Sequence, residues 1–347
     1  MTRTPSRVIR ATAPLRINDI GGWTDTWFSG EGKVSNLAIS PPVEVVIKAY
    51  PNKRNRKKRV LVKALNYGDS FWMNPEEPDY NIHPYLQGAI NSLLIPIRYE
   101  LEVSVSASVP AGSSIGTSAA VCVALIGAVA ALSPQIRSTD EIVSLAHRVE
   151  SEKLGLQSGI QDQICAAYGG VCFIHMLSYP EADVTRLFLP MSLRDELNQR
   201  LSLIFLGKAH RSSDIHEDVI STLEKGGTQF KEIIKMRDLA EKARDCLKKG
   251  DLTSYGRIMV QNNDCQRALH QGLVSEEADS VIEIAKKYNS AGWKVNGAGG
   301  KGGSLAILGS RRLHDRETML QEINALGRGI KSIRFSLSPS GLTVTSE

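Results

Sequence analysis

Hydroxyls and glycines crowd one stretch of this 347-residue chain, SVPAGSSIGTSAAV from Ser108 to Val121, which runs into a fully apolar segment. Ser113, Ser114, Thr117 and Ser118 stand where a helix start leaves its amides unpaired, and Gly112 and Gly116 permit positive φ and close backbone approach. Such a turn, opened by Pro110, suits an anion such as phosphate; the plainer alternative is a strand-to-helix loop with good capping residues. Carboxylates follow. Glu150 and Glu152 fall near the end of one predicted helix, where the dipole opposes them, and Asp162 falls in the first turn of the next, where it favours them. Carboxylates held against a dipole beside a phosphate cradle suit Mg²⁺, which takes one or two of them plus substrate oxygens. The alternative is that both glutamates are exposed, with Lys153 as a partner. In APLRINDIGGWTD, Ala13 to Asp25, Arg16 ends a strand and paired glycines turn the chain. Trp23 and Asp25 there offer an apolar face and an acceptor that suit a sugar, although a lone arginine and aspartate on a loop are ordinary surface residues.

The stretch VNGAGGKGG, Val295 to Gly303, fits G-x-G-x-x-G through Gly297, Gly299 and Gly302. A dinucleotide fingerprint needs a helix after it and room for a βαβ unit, whereas these glycines run into the strand-like SLAILGS near the end of the sequence. Nor is it a Walker A loop, since Gly302 follows Lys301 where Ser or Thr should take the metal. One further cluster, GKAHRSS from Gly207 to Ser213, puts Lys208, His210, Arg211 and two serines between a strand and a helix start, where a phosphate is well received; an ordinary capped helix with exposed basic residues is the alternative.

The elements that must position these groups are mixed. RVIRATAPLRI, VEVVIKAY and RVLVKAL carry β-branched residues, and RYELEVSVSASV alternates with Leu101, Val103, Val105, Ala107 and Val109 on one face. The period then becomes helical over Thr117 to Leu132 and Thr139 to Leu154, the second run opening with a capping box from Ser138 to Glu141. A second such box, Ser158 to Gln161, opens a shorter helix; VCFIHML and TRLFLPM read as strands. After RLSLIFLG the pattern is mostly amphipathic helix to Asn289, then strand, helix and strand. The fold class is α+β, in two intimate lobes over residues 1–191 and 192–347, since single cores stop growing near about 250–300 residues.

Composition narrows the function. The net charge of +5 is mild and much of it lies in NKRNRKKR, Asn52 to Arg59, which reads as a solvated hairpin tip; no aromatic interleaves with it, so nucleic acid is not an expected partner. Five cysteines without C-x-x-C spacing, and an N-terminus without an apolar signal core, fit a reducing cytoplasm. AAVCVALIGAVAAL, Ala119 to Leu132, is too short to span a bilayer and reads as a buried core helix.

APLR…GGWTD, PAGSSIGTSAA, GLQSGIQDQ and VNGAGGKGG occur in the order, and at about the separations, found in the GHMP superfamily of small-molecule kinases, which the whole chain resembles. The first motif resembles the sugar-1-kinase branch of D-glycero-D-manno-heptose 7-phosphate kinases and fucokinases, and departs from the G-E-H-x-D of galactokinases. The resemblance implies a lobe shared with a ribosomal-protein domain, a ferredoxin-like C-terminal lobe, and ATP and acceptor in the cleft between them. It implies that Pro110, Gly112, Ser113, Ser114, Gly116, Thr117 and Ser118 hold ATP, with Ser118 and Glu150 on Mg²⁺; Glu150 is preferred because it lies twelve residues before Asp162. It makes Asp162 the catalytic aspartate, receiving the hydroxyl proton or orienting the hydroxyl, with Arg16 beside it. Gly22, Trp23, Thr24, Asp25, Gly159, Arg211 and Gly299 are then expected on the acceptor side, the glycine-rich turn packing beside the phosphate loop. The implied reaction phosphorylates the anomeric hydroxyl of the heptose 7-phosphate for surface polysaccharide precursors, in a soluble enzyme that admits a homodimer and binds no membrane. Rivals are a fucokinase, a sugar-responsive regulator that has lost catalysis, a diphosphate-acid decarboxylase on the same fold, and an NAD oxidoreductase.

Overall fold

The computed structural model describes residues 4–53, 55–208, 213–224, 227 and 229–347. Its strands are β1 (Arg7–Ile20), β2 (Gly32–Pro51), β3 (Val60–Ala64), β4 (Asp69–Met73), β5 (Tyr99–Ala107), β6 (Val171–Ser178), β7 (Glu181–Leu187), β8 (Leu201–Leu206), β9 (Gly292–Val295), β10 (Ser304–Leu308), β11 (Ile330–Ile333), β12 (Ser336–Leu337) and β13 (Thr343–Ser346). Its α-helices are α1 (Pro84–Ile90), α2 (Thr117–Ala130), α3 (Thr139–Arg148), α4 (Gln161–Tyr168), α5 (Met191–Arg200), α6 (Ser213–Glu224), α7 (Phe230–Lys249), α8 (Leu252–Leu269), α9 (Glu276–Lys287) and α10 (Leu313–Ala325).

Nine strands form one sheet, ordered β13-β1-β2-β5-β3-β4, with β6 and β12 also paired to the long β2 and β7 to β6. The alternation read in the sequence is realised in β5, where Leu101, Val103 and Val105 are buried. Past its first turn helix α2 has no polar face because it is almost wholly buried: it packs on β1 and β2, with α1, α3 and α4 against its flanks. The second sheet runs β11-β8-β10-β9, antiparallel throughout, and its order with the intervening helices is the ferredoxin-like arrangement. Among the described residues no helix is long and apolar enough to cross a membrane.

Four local expectations are corrected. The basic segment Asn52 to Arg59 is no hairpin tip, because β2 and β3 do not pair; they flank β5, β2 antiparallel and β3 parallel, so the connection crosses the end of β5. Arg59 there is buried, bonded to Glu76 and to the Ile95 carbonyl. The strand expected over TRLFLPM instead covers Glu181–Leu187 and leaves Phe188 exposed. The helix from Thr139 opens with the expected capping box but becomes a π-helical turn at Val149–Lys153. Finally, the division at residue 192 is not clean, since β12 and β13 return to the first sheet on β2 and β1.

Candidate active site

Gly112, Ser114 and Gly116 all have positive φ, +70°, +56° and +73°, which coils the segment ahead of α2 into a tight turn. Gly116 is the N-cap of α2, and among the described residues no side chain caps its first turn. The hydroxyls do not serve as caps: Ser113 Oγ donates to the Pro110 carbonyl at 2.6 Å, and Ser118 is exposed. Uncapped amides at the start of a 14-residue helix suit an anion. Beside it opens a cavity of about 400 Å³, lined by Pro110, Thr117, Ser118, Val121, Tyr67 and Tyr85 among others, apolar enough for a flat base. Sequence reasoning missed the Ala64–Tyr67 and His83–Tyr85 walls, because they come from remote elements with no motif of their own.

Arg16 and Asp162 meet directly beneath this loop. The guanidinium grips the carboxylate with both arms, Nε to Oδ1 at 2.7 Å and Nη2 to Oδ2 at 3.1 Å, while Nη1 donates to the Ser114 carbonyl at 2.7 Å. Burial works against the Arg16 charge, and Asp162 and Asp19 outweigh it to hold the group protonated. Arg16 is buried on β1, whereas the Asp162 side chain keeps 27% of its surface open. A Cβ on Gly116 would sit 3.2 Å from Arg16 Cγ and 3.3 Å from Asp162 Oδ2, so the turn lies against this pair.

The start of α4, and with it Asp162, is set by Asp25. Asp25 Oδ2 accepts the Gln161 N–H at 3.0 Å and Oδ1 the Gln161 Nε2 at 3.3 Å. Gly159 is required by this carboxylate, since a Cβ there would lie 2.1 Å from Asp25 Oδ2. Burial pushes the Asp25 carboxyl up to about 6, opposed by the Gln161 N–H. The box expected from Ser158 to Gln161 does not form, because the Ser158 hydroxyl donates to Glu150 instead.

Glu150 lies in the π turn, buried, with Oε2 accepting from Ser158 Oγ and, at 3.0 Å, from Gln163 Nε2. Burial pushes its carboxyl up to about 7. Among the described residues no cation pairs with it, so a divalent ion fits as the missing countercharge. Glu152 is exposed and paired to Arg148 at 2.8 Å, and Lys153 donates to Asn91 at 2.7 Å, so neither resembles a metal site. Tyr85, which lines the same cavity as Ser118, has its acidity suppressed by burial and then by Glu150. Among the described residues no cluster of three or more potential metal ligands exists; the donor set is that of an ion shared with phosphate oxygens.

The glycine-rich turn packs beside the phosphate loop, through residues other than the expected one. A Cβ on Gly297 would lie 3.2 Å from both Arg16 Nη2 and the Ser114 carbonyl, and one on Gly303 would lie 2.7 Å from Ser114 Oγ. Ser304 Oγ donates to the Ser113 carbonyl at 2.6 Å. Gly299 faces away, its Cβ position 2.1 Å from the Leu273 carbonyl oxygen. Of the GGWTD residues, Trp23 and Thr24 are interior rather than presented to a sugar: Trp23 is 6% exposed, and Thr24 Oγ1 donates to the Gly21 carbonyl at 2.7 Å and accepts the Lys33 N–H at 2.9 Å. Gly22 leaves room for Asp19, whose Oδ2 would be 2.7 Å from a Cβ. Arg211 and His210 lie outside the described residues, and Lys208 beside them pairs with Glu277 at 3.3 Å. Asp19 and Lys294, an ion pair at 2.9 Å below Arg16, carry no sequence motif beyond a lysine in a short apolar strand.

Residues 84–170 match the family described as GHMP kinases N terminal domain. The chain is 26% identical over 321 residues to a bifunctional fucokinase/GDP-fucose pyrophosphorylase of Arabidopsis thaliana, covering 87% of this chain and only 30% of that longer protein. It is 24% identical to a D-glycero-alpha-D-manno-heptose 7-phosphate kinase of Campylobacter jejuni, over 95% of this chain and 100% of the relative. The crystal structure of a D-glycero-D-manno-heptose 1-phosphate kinase from Bacteroides thetaiotaomicron superposes with a TM-score of 0.75 at 20% identity, covering 97% of this chain and 98% of that one. Residues 84–170 thus match the GHMP kinase N-terminal domain, and over its whole length the chain has the fold of the GHMP kinases.

Proposed function

We propose that the protein transfers the γ-phosphoryl group of ATP to the anomeric hydroxyl of D-glycero-D-manno-heptose 7-phosphate, giving the 1,7-bisphosphate and ADP. The observation that carries the reading is the partly open Asp162 carboxylate, clamped by Arg16 against the bare amides at the start of α2. Phosphoryl transfer asks for positioning and charge neutralisation more than for covalent chemistry. The apolar cavity beside Tyr67 and Tyr85 takes the base, and the Gly112–Ser118 turn takes the phosphates. Asp162 holds the acceptor hydroxyl in line with the γ-phosphorus and receives its proton as the new P–O bond forms and the bond to the β-phosphate oxygen breaks. Arg16 fixes that carboxylate in direction and in charge. Glu150 and Ser118 would hold Mg²⁺, which supplies neutralisation of the phosphate charge when bound.

The heptose acceptor is supported by the end-to-end alignment with the Campylobacter jejuni relative. A second reading, an L-fucose acceptor phosphorylated at the same carbon, is favoured by the Arabidopsis thaliana relative and shares every residue named above. Intact Arg16, Ser118, Glu150 and Asp162 speak against a catalytically silent regulator.

The test is ATP consumption against a panel holding the heptose 7-phosphate and L-fucose, with the product's phosphate position read by NMR. Turnover of the heptose phosphate at C1, lost by about 100-fold or more in Asp162→Asn with KM for ATP kept, supports the proposal. Turnover of fucose alone replaces the acceptor. Wild-type turnover by Asp162→Asn removes the aspartate from the mechanism.

A further inference from the structure

Arg16 sits between two carboxylates. It is bonded to Asp162, yet its Nη1 also lies 4.0 Å from Asp19 Oδ1. Asp19 is 1% exposed, so without Lys294 it would be a strong attractor for Arg16, the next cation in reach. What occupies it instead is Lys294 on β9, itself fully buried, with Nζ 2.9 Å from the same Oδ1 and 2.7 Å from the Val295 carbonyl. The Gly297 N–H, 3.2 and 3.1 Å from the two Asp19 oxygens, completes the arrangement. Burial pulls the Lys294 ammonium toward neutrality, and Asp19 opposes it. Asp19 comes from the first sheet and Lys294 from the second.

Resting on the kinase reading above, we infer that Lys294 is a positioning residue for the reaction: by occupying Asp19 it leaves the Arg16 guanidinium to Asp162, and so keeps the carboxylate aimed. Lys294 touches neither ATP nor acceptor in this assignment. A purely structural pair that ties the lobes together would look the same at rest but behaves differently on substitution. If Lys294 acts by neutralising Asp19, its removal is harmful only while Asp19 is charged.

The experiment compares Lys294→Met, Asp19→Asn and the double variant in the full-length protein, with ATP·Mg²⁺ and the heptose 7-phosphate as probes. Lys294→Met lowers kcat by about tenfold or more with KM for ATP within about twofold, and the double variant returns to within about threefold of Asp19→Asn. Should Lys294→Met fail to fold, as a broken buried pair can, the comparison of Asp19→Asn with the double variant stands alone. Equal kcat values support the inference, and a further tenfold loss in the double variant overturns it. Crystal structures supply a readout independent of turnover: Arg16 leaves Asp162 for Asp19 in Lys294→Met and stays on Asp162 in the double variant. Arg16 unmoved in Lys294→Met also overturns the inference. Failure of the kinase reading is separately visible, as absence of ATP-dependent turnover in the parent protein, and leaves the crystallographic readout to decide the inference.

Discussion

Replacing Asp25 with Asn should make the unliganded protein more stable at pH 8 and leave it nearly unchanged at pH 4. The carboxyl is 2% exposed, and its burial raises it from an ordinary 3.8 to about 6. A raised carboxyl binds its proton more tightly in the folded than in the unfolded chain. Below 3.8 both states are protonated and nothing is lost; between 3.8 and about 6 the unfolded chain ionises first and stability falls; above that the loss is constant. At about 1.4 kcal/mol per pH unit the cost at neutral pH is about 3 kcal/mol, an upper figure because Asn keeps only part of the bonding to Gln161. With unfolding entropy near 2 cal/mol/K per residue, a chain of this length gains about 4 °C. The assay is thermal melting of both proteins from pH 4 to pH 8, in which the two Tm curves diverge through the window between 3.8 and about 6. If Asp25→Asn melts lower than its parent by the same margin at both ends, loss of the Gln161 cap outweighs desolvation and the reasoning fails. Turnover should fall in the same variant, because the start of α4 carries Asp162.

Two glycines should separate activity from stability. Gly116→Ala presses on Arg16 and Asp162 and should cut kcat at least tenfold, whereas Gly299→Ala meets the Leu273 carbonyl and should cost about 1–3 kcal/mol in a melting assay, with ATP affinity of the surviving fold intact. Glu150→Gln should raise the Mg²⁺ concentration needed for half-maximal turnover, and Glu152→Gln, whose parent is exposed on Arg148, should not. Val121→Phe should fill the cavity beside the phosphate loop and raise KM for ATP by about tenfold, with KM for the acceptor unmoved; equal changes in both would place the base elsewhere.

Local chemistry was legible in the sequence where one segment carries it whole. The turn from Gly112 to Gly116, the apolar α2 and the Ser138–Glu141 box each depend on neighbours in the chain, and they stand as read. What escaped depends on partners far away. Ser158 had the spacing of a cap but lies nearer Glu150, and Asp25, 136 residues from Gln161, took the capping task. The glycine pattern Gly297 to Gly303 announced close approach without saying to what, so Gly299 was credited with a contact that Gly297 and Gly303 make. Trp23 and Thr24 read as acceptor-side residues, yet both are buried, since burial follows from tertiary packing and not from residue type. The buried Asp19–Lys294 pair had no local signature at all, since a charge inside a sheet becomes plausible only once its counterion is known.

The return of β12 and β13 to the first sheet bears on how the molecule is made. Residues 336–346 leave the ribosome after every other strand of that sheet, yet β13 covers the outer edge of β1, and the preceding segment holds the far end of α4 through Gly170 N–H to the Ser338 carbonyl and Leu342 N–H to the Ala167 carbonyl, at 2.9 and 3.0 Å. A nascent chain can therefore form the turn before α2 early but keeps a bare strand edge and an unclasped aspartate-bearing helix until residues 336–346 have emerged. The far end of the helix that carries Asp162 is therefore clasped by segments more than 160 residues further along the chain.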